Sequence, residues 1–140
     1  MSVFTAAEIT YLQSQRLAHL ATSGPGGQPH VVPVGFRYNA ADDTIQVGGH
    51  DFAQRKKYRD VERNPRVAVV IDDFASFDPW HPRMVEVRGQ AEILPTGGAA
   101  LGRDFAPQMF RIRPERILSL GIEANQGLYE LNARSVPEDR

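Results

Sequence analysis

The sequence predicts a small α+β protein, mainly β, in which about six or seven antiparallel strands form a closed or partly closed barrel. Short apolar runs rich in valine and isoleucine recur along the 140 residues, and turn signals rich in glycine, proline, asparagine and aspartate separate them. Only two or three segments have helical periodicity. Because a doubly wound sheet needs a helix after nearly every strand, the barrel is favoured.

The first half of the chain predicts one helix and three strands. Thr5 and Glu8 have the spacing of a capping box, in which a hydroxyl and a carboxylate satisfy the first free N–H groups, so a short helix is expected to begin there. Three extended segments follow, and turn signals separate them: LAHLAT, PHVVPVGFRY and TIQVGG. The glycine-rich SGPGGQ joins the first two, which predicts a hairpin.

Further strands are predicted in the second half of the chain, after a basic helix. RVAVVIDD is an almost continuous apolar run, which places it near the centre of the sheet with both faces covered. FASFDPWHP is rich in proline and aromatic residues, so an irregular connection is expected there. RMVEVRGQAEIL predicts a long curved strand with a bulge or bend at Gly89.

The last third of the chain predicts shorter elements and a free end. A short helix is expected between Gly97 and Phe105. MFRIRPERILSLGI predicts two short strands split at Pro114, because proline cannot donate to the strand ladder. Residues 125–140 are interpreted as a mobile C-terminal tail, and residues 1–140 as one domain.

The composition argues against several classes of protein. With 16 basic and 17 acidic residues the net charge is −1, which argues against a dedicated nucleic-acid binder. The chain has no cysteine, and its four histidines lack the spacing of metal ligands, so neither thiol chemistry nor a metal site is expected. The N-terminus does not resemble a signal peptide, and no apolar run approaches the ~20 residues of a membrane span. A cytoplasmic location is therefore expected.

The most informative segment is a glycine turn followed by a basic helix, at residues 48–59. Glycines let the backbone approach a ligand, and a helix that starts at Asp51 as N-cap would present cations in its first turn, which suits a phosphate or another anion. On a helical wheel Lys57 shares a face with Val61 and points toward the body of the protein, whereas Arg55 can reach back to the helix end. The alternative is a solvated basic helix that its own acidic residues partly neutralise.

Two other residues are candidate ligand contacts. His50 lies beside the basic helix and is the one histidine of the four that we weigh as a contact. Trp80 is the only tryptophan, and it is either a core anchor or an aromatic wall that stacks on a planar ligand or covers a subunit boundary. Asp72 and Asp73 are interpreted as a solvated strand end, because adjacent strand residues point to opposite faces.

These segments, in this order, resemble the pyridoxamine 5'-phosphate oxidase-like (PPOX class) split-barrel family, and within it the deazaflavin (coenzyme F-420)-dependent oxidoreductases. The resemblance covers nearly the whole chain. It is strongest in three segments: GGQPHVVPVGFRYN, the basic helix with NPRVAVVID, and DPWHPRMVEVRGQAEI. It implies an FMN-binding split barrel-like fold, and a homodimer with the cofactor in a groove at the subunit interface.

The resemblance also implies which residues surround the cofactor. Arg55 and Lys57 would hold its phosphate, while Gly49 and His50 would line the approach to the helix. Second-strand residues would run beside its ring: Pro33, Val34 and Gly35. Two residues would come from the partner subunit and close the site: Trp80 and Arg83. No catalytic residue is assigned.

The activity that the resemblance implies is hydride transfer from reduced coenzyme F-420 to an unsaturated small-molecule substrate. FMN is the alternative cofactor, but the deazaflavin has a tail of carboxylates that Lys56, Arg59 or Arg63 could contact. Two further hypotheses stay open. One is an FMN-dependent pyridoxamine 5'-phosphate oxidase-like enzyme, and the other is a non-catalytic flavin- or tetrapyrrole-binding protein.

Overall fold

The computed structural model describes residues 1–138, in which seven antiparallel strands form a sheet that closes on itself. The strands are β1 (Leu17–Ser23), β2 (Pro29–Asn39), β3 (Thr44–Val47), β4 (Arg66–Phe77), β5 (Trp80–Leu94), β6 (Met109–Leu120) and β7 (Asn132–Ser135). The α-helices of the described residues are α1 (Ala6–Ser14) and α2 (Lys56–Arg63), and single 3-10 turns occupy residues 25–27, 52–54 and 98–100. The predicted antiparallel barrel with short helices is confirmed.

The barrel closes because β6 has two neighbours on one edge. The strand order is β3-β2-β1-β4-β5-β6-β7, and β3 also pairs with the first half of β6, so that six strands form a ring. The second half of β6 pairs with β7. Alternate strand residues fill the interior, and the fully buried ones include Leu20, Ile45, Val69, Val87 and Ile112.

β4 lies in the middle of the strand order, between β1 and β5, as its apolar sequence predicts. Val69 and Ile71 are fully buried in the barrel interior, but Ala68 and Val70 on the opposite face are only half-buried. The expectation that both faces of this strand are covered is therefore wrong for the single chain. The interior of the barrel covers one face only.

α1 begins with the predicted capping box. The Thr5 hydroxyl accepts a hydrogen bond from the Glu8 N–H at 3.1 Å, and the Glu8 carboxylate accepts one from the Thr5 N–H at 2.9 Å. Glu8 is fully buried, and Arg134 of β7 donates to its two carboxylate oxygens at 2.6 and 3.1 Å. Burial raises the pKa of Glu8, but the hydrogen bonds from Arg134 and Thr5 outweigh burial and hold the pKa below its ordinary value.

The ion pair of Arg134 accounts for one correction to the sequence analysis. The prediction of a mobile tail is wrong for residues 132–135, because they form β7 and dock on β6 and α1. Residues 125–131 lie in turns and irregular structure, and residues 139 and 140 of the predicted tail lie outside the described residues. Too few apolar residues mark β7 for strand periodicity to reveal it.

β6 is a second correction, because it is one strand where two were expected. The register of β5 and β6 shifts beside Gly89, which lies opposite Pro114. A Cβ on Gly89 would collide with the carbonyl oxygen of Arg113, so the two backbones approach closely at this bulge. The bulge accommodates the proline without a ladder hydrogen bond, and the strand continues past it. The predicted bulge at Gly89 is confirmed.

The expected irregular connection after β4 is the third correction. β4 and β5 continue into a tight hairpin in which only Asp78 and Pro79 lie outside the strands. Three aromatic side chains pack on one another at its tip, with the ring centroid of Phe74 4.5 Å from Trp80 and 4.8 Å from Phe77. Cross-strand aromatic contacts extend the pairing into a segment whose proline had suggested a loop. We call these three residues the aromatic tip.

No helix within residues 1–138 is both long enough and apolar enough to cross a membrane.

We predict that Arg134→Met destabilises the protein by about 3 kcal/mol, because it leaves the buried Glu8 carboxylate without its countercharge. Urea unfolding at pH 7 measures this change. Arg116→Met is the matched control, since Arg116 also bonds β7, through Ser135, but at an exposed position.

The effect of Arg134→Met should depend on pH. The pKa of Glu8 lies below its ordinary 4.5, so the ion pair stabilises the folded state above about pH 4.5 and loses this contribution as the pH falls through the lowered pKa. The difference in unfolding midpoint between wild type and Arg134→Met should therefore shrink in acid. A difference that stays constant down to the acid transition would contradict this role of the pair.

Candidate cofactor site

A cavity of about 410 Å³ lies between β2, the turn after β3 and the start of α2. Its volume is in the range of small-molecule sites, roughly 300–1,000 Å³. Seven of the residues predicted to contact a cofactor line it: Pro33, Val34, Gly35, Gly49, His50, Arg55 and Lys57. Four further lining residues were not predicted: His30, Val32, Gly48 and Phe105. Lys56, which the sequence suggested only as a contact of a carboxylate tail, also lines the cavity.

β2 supplies one wall of this cavity, and its alternation decides which residues face which way. Val34 pairs with Ala18 of β1 and is buried, whereas Gly35 is exposed. A Cβ placed on Gly35 would meet no heavy atom within 4 Å, so the space in front of this glycine is open. Bare backbone at this position lets a flat ligand approach the strand closely.

The turn into α2 differs from the prediction that Asp51 is the helix N-cap. Asp51 has left-handed backbone angles, φ 49° and ψ 40°, and starts a 3-10 turn instead. The chain becomes extended again at Arg55, and α2 begins at Lys56. Phe52 holds the turn in place, because it is fully buried and packs edge-to-face on Phe110 with ring centroids 4.6 Å apart.

Lys57 is a half-buried cation without a countercharge. Its side chain shares a helix face with the buried Val61, as predicted, and its ammonium lies 5.5 Å from the ring centroid of Phe52. Among residues 1–138 no hydrogen bond or ion pair to this ammonium is formed. Burial lowers the pKa of Lys57, and the neighbouring Arg55 lowers it further. An anion in the cavity would relieve both effects.

The neighbouring Lys56, in contrast, has a countercharge. Its ammonium lies 3.0 Å from both carboxylate oxygens of Asp60, which is fully buried and also accepts a hydrogen bond from Thr22 at 2.8 Å. Burial raises the pKa of Asp60, but the hydrogen bonds from Lys56 and Thr22 outweigh it and bring the pKa below its ordinary value. Asp60 therefore neutralises Lys56, whereas Lys57 has no ion pair with another described residue.

Arg55 and Arg59 have backbone partners. Arg55 donates through Nε to the carbonyl oxygen of His50 at 3.1 Å. The other N–H groups of the Arg55 guanidinium stay available for a ligand. Arg59 donates to the carbonyl oxygen of Gln54 at 2.8 Å. Lys56 and Arg59 are both engaged, which argues against their contacting a carboxylate tail. Arg63, the third residue suggested for that contact, forms no side-chain hydrogen bond or ion pair with another described residue.

His50 has a fixed ring orientation at the rim of the cavity. Its Nδ1 lies 3.0 Å from the carbonyl oxygen of Asp104, which accepts the hydrogen and leaves Nε2 without a hydrogen bond to another described residue. The ring also packs edge-to-face on Phe105 at 5.0 Å. The loop that carries both contacts is tied to the turn, because the Ala106 N–H donates to the Gly49 carbonyl at 2.9 Å.

The structure does not place Trp80 or Arg83 at this cavity in the single chain. Trp80 belongs to the aromatic tip and is 49% exposed. Arg83 donates to the two carboxylate oxygens of Asp73 at 2.9 and 2.6 Å, and the Tyr11 hydroxyl donates to the same carboxylate at 2.8 Å. Hydrogen bonds from Arg83 hold the pKa of Asp73 low, so the interpretation of Asp73 as a solvated strand end is wrong.

Some of the lining residues that the sequence analysis missed could have been found from strand alternation, and others could not. His30 and Val32 lie on the same face of β2 as Val34, so strand alternation could have found them. Phe105 comes from a distant loop without a motif, and only the fold brings it to His50.

Residues 4–125 match the family described as pyridoxamine 5'-phosphate oxidase. The chain belongs to this family. A similar protein of Streptomyces rimosus, named 5a,11a-dehydrotetracycline/5a,11a-dehydrooxytetracycline reductase, is 44% identical over 122 residues, which cover 87% of this chain and 86% of the relative.

Solved structures agree with membership of the pyridoxamine 5'-phosphate oxidase family. A FAD-binding protein of Mesorhizobium loti has a TM-score of 0.61 at 27% identity, covering 83% of this chain and 91% of its own. A heme-binding protein of Mycobacterium smegmatis has a TM-score of 0.68 at 18% identity, covering 96% and 60%, and shows the fold alone. The family match, the reductase and the FAD-binding protein together support an oxidoreductase with a flavin-type cofactor.

We predict that Lys57→Met weakens binding of a phosphate-bearing cofactor by about 1–3 kcal/mol, because a charge-assisted contact is lost. The same change should leave the cofactor-free protein equally stable or more stable by up to ~1 kcal/mol, since it removes a desolvated cation beside Arg55. Ligand titration and urea unfolding measure the two effects. Arg59→Met is the control, because Arg59 does not line the cavity.

The stability effect of Lys57→Met also has a pH signature. The pKa of Lys57 lies below its ordinary 10.5, so the folded protein holds this proton less tightly than the unfolded chain does. Any stability gain of the variant should therefore diminish as the pH rises toward 10.5. Loss of stability together with unchanged cofactor affinity would mean that Lys57 is a structural residue.

Proposed function

We propose that this protein is a coenzyme F-420 (deazaflavin)-dependent reductase that holds the coenzyme in the cavity beside β2. The observation that carries the proposal is Lys57, a half-buried cation without an ion pair that lies beside Arg55 and opposite bare glycine backbone. A protein gains little stability from such a cation unless a ligand supplies the negative charge. A cytoplasmic location, expected from the sequence, stays part of the proposal.

The residues present fit a ligand with an anionic end and a flat ring. Lys57 and the free N–H groups of Arg55 suit the phosphate, because both donate charge-assisted hydrogen bonds. Gly35 offers unobstructed backbone to the ring, with Pro33 and Val34 beside it. When bound, the reduced coenzyme supplies the hydride, and the chain contributes binding, orientation and exclusion of water.

The similar reductase suggests the kind of bond that is reduced. Its name specifies 5a,11a-dehydro compounds, so we propose a conjugated carbon–carbon double bond as the reducible group for this chain as well. The preference for the deazaflavin over FMN rests on the sequence resemblance to the deazaflavin (coenzyme F-420)-dependent oxidoreductases of this family. The flavin alternative is supported by the FAD-binding relative.

We also propose a homodimer, which the outer surface of the barrel supports. Apolar side chains on this surface are strongly exposed in the single chain: Leu17, Val31, Phe74, Phe77 and Trp80. Ala68 and Val70 of β4 lie on the same outer face and are only half-buried. A second copy would cover this surface, and Trp80 would then close the other copy's cavity. Arg83 is a weaker candidate for that role, because Asp73 already holds it.

We predict that the purified protein binds F-420 at least about tenfold more tightly than FMN when each is titrated by ring fluorescence. Tighter binding of FMN would overturn the cofactor assignment and favour an FMN-dependent enzyme. The absence of binding by both would overturn the cavity as a cofactor site. Incubation of the reduced cofactor with enones and quinones then separates an enzyme from a carrier, since a carrier binds the cofactor without oxidising it above the blank.

We predict that light scattering at micromolar concentration gives about twice the chain mass of 15.6 kDa. Phe77→Asp should shift the protein toward monomer, because it places a charge at the aromatic tip, and should weaken cofactor binding in parallel. Tyr129→Asp is the matched control, since Tyr129 is 67% exposed outside the tip. A wild-type protein that is monomeric at this concentration would rule out the dimer.

A further inference from the structure

A second cavity, of about 340 Å³, adjoins the candidate cofactor site. It lies between the C-terminal end of α1, the second half of β2 and the loop at Leu101, and we call it the side compartment. Gly35 and Phe105 line both cavities. Gly35 has no side chain and a Cβ there would meet nothing within 4 Å, so no side chain at this position separates the two cavities.

The side compartment carries two cations that nothing in the described chain neutralises. Arg16 and Arg37 line it, and neither forms a side-chain hydrogen bond or ion pair with another of residues 1–138. No acidic residue is among its lining residues. Arg83, Arg111 and Arg134 differ from this pair because they are bonded to carboxylates. Arg63 and Arg113 resemble it, since their side chains also form no hydrogen bond or ion pair with another described residue.

The remaining lining residues are mixed, with aromatic and aliphatic side chains beside the polar Gln13 and Gln15. Phe36, Leu101 and Phe105 contribute side-chain surface that suits a flat ring system. Arg16 and Arg37 are exposed in the single chain, and their guanidinium groups suit a planar oxygen anion, because a guanidinium donates paired N–H groups to a carboxylate or an enolate. Neither feature is explained by the cofactor site next to it.

We propose that the side compartment is the substrate site and takes a conjugated ring compound whose acidic oxygen, a carboxylate or an enolate, is bound by Arg16 and Arg37. The proposal rests on the proposed function, because the two cavities share Gly35 and Phe105 and such a compound would therefore lie next to the cofactor cavity. The arginines bind and orient the substrate, and they set the specificity for acidic compounds.

Titration of the cofactor-free protein with anthracene-2-carboxylate and its neutral carboxamide tests this inference through ring fluorescence. The carboxylate should bind more tightly than the amide. Arg16→Gln and Arg37→Gln should each weaken carboxylate binding by about fivefold and leave amide binding within about twofold of wild type. Arg113→Gln is the control, because Arg113 is an exposed arginine that lines a different cavity.

Three results would overturn the side compartment as a site for acidic rings. They are equal binding of the two probes, no carboxylate binding by wild type, or an equal loss in Arg113→Gln. A fourth is a loss of F-420 affinity in Arg37→Gln as large as the loss of carboxylate affinity, because the arginine would then belong to the cofactor site. Failure of F-420 to bind wild type, with the arginine effects intact, would instead overturn only the proposed function.

Discussion

The candidate site depends on the contacts that the buried Asp60 carboxylate makes with Lys56 and Thr22. It joins α2 to β1 through Thr22 and takes up the charge of Lys56, so one helix face is fixed against the barrel. Lys57, the residue after Lys56, lies beside the cavity and forms no ion pair with a carboxylate of residues 1–138. Removing a partner of a buried carboxylate is strongly destabilising, so the contacts of Asp60 are costly to alter. They therefore define the position of Lys57 on the same helix.

The barrel provides the second part of the site, because closure through β3 and β6 brings distant loops to β2. The loop that carries Phe105 precedes β6, and the pairing of β6 with β3 places it against the turn at Gly49. β2 then has a buried face toward the core and an open face at Gly35. A rigid strand with one open residue is a good platform for a planar ligand, since little ordering is needed on binding.

Two kinds of cation on this protein have different roles. Arg134, Arg83 and Lys56 pair with carboxylates and hold elements together. Lys57, Arg16 and Arg37 line cavities and lack such partners among the described residues. The first group links elements of the fold, and we propose that the second binds anionic ligands. This division separates structure from function in a chain whose overall charge is close to zero.

The sequence by itself determined the element types, the antiparallel barrel and the basic helix after a glycine turn, because capping, periodicity and turn chemistry act between residues close in the chain. It also brought Gly35, His50, Arg55 and Lys57 into one predicted site through family resemblance, and the structure places them around one cavity. Only the tertiary structure decided that Lys56 is neutralised while Lys57 is not, that β6 passes Pro114 unbroken, and that β7 docks on Glu8. The last two depend on partners far away in sequence, which local patterns do not encode. Lys56 and Asp60 are only four residues apart, but the burial of Asp60 and its hydrogen bond from the distant Thr22 come from the fold.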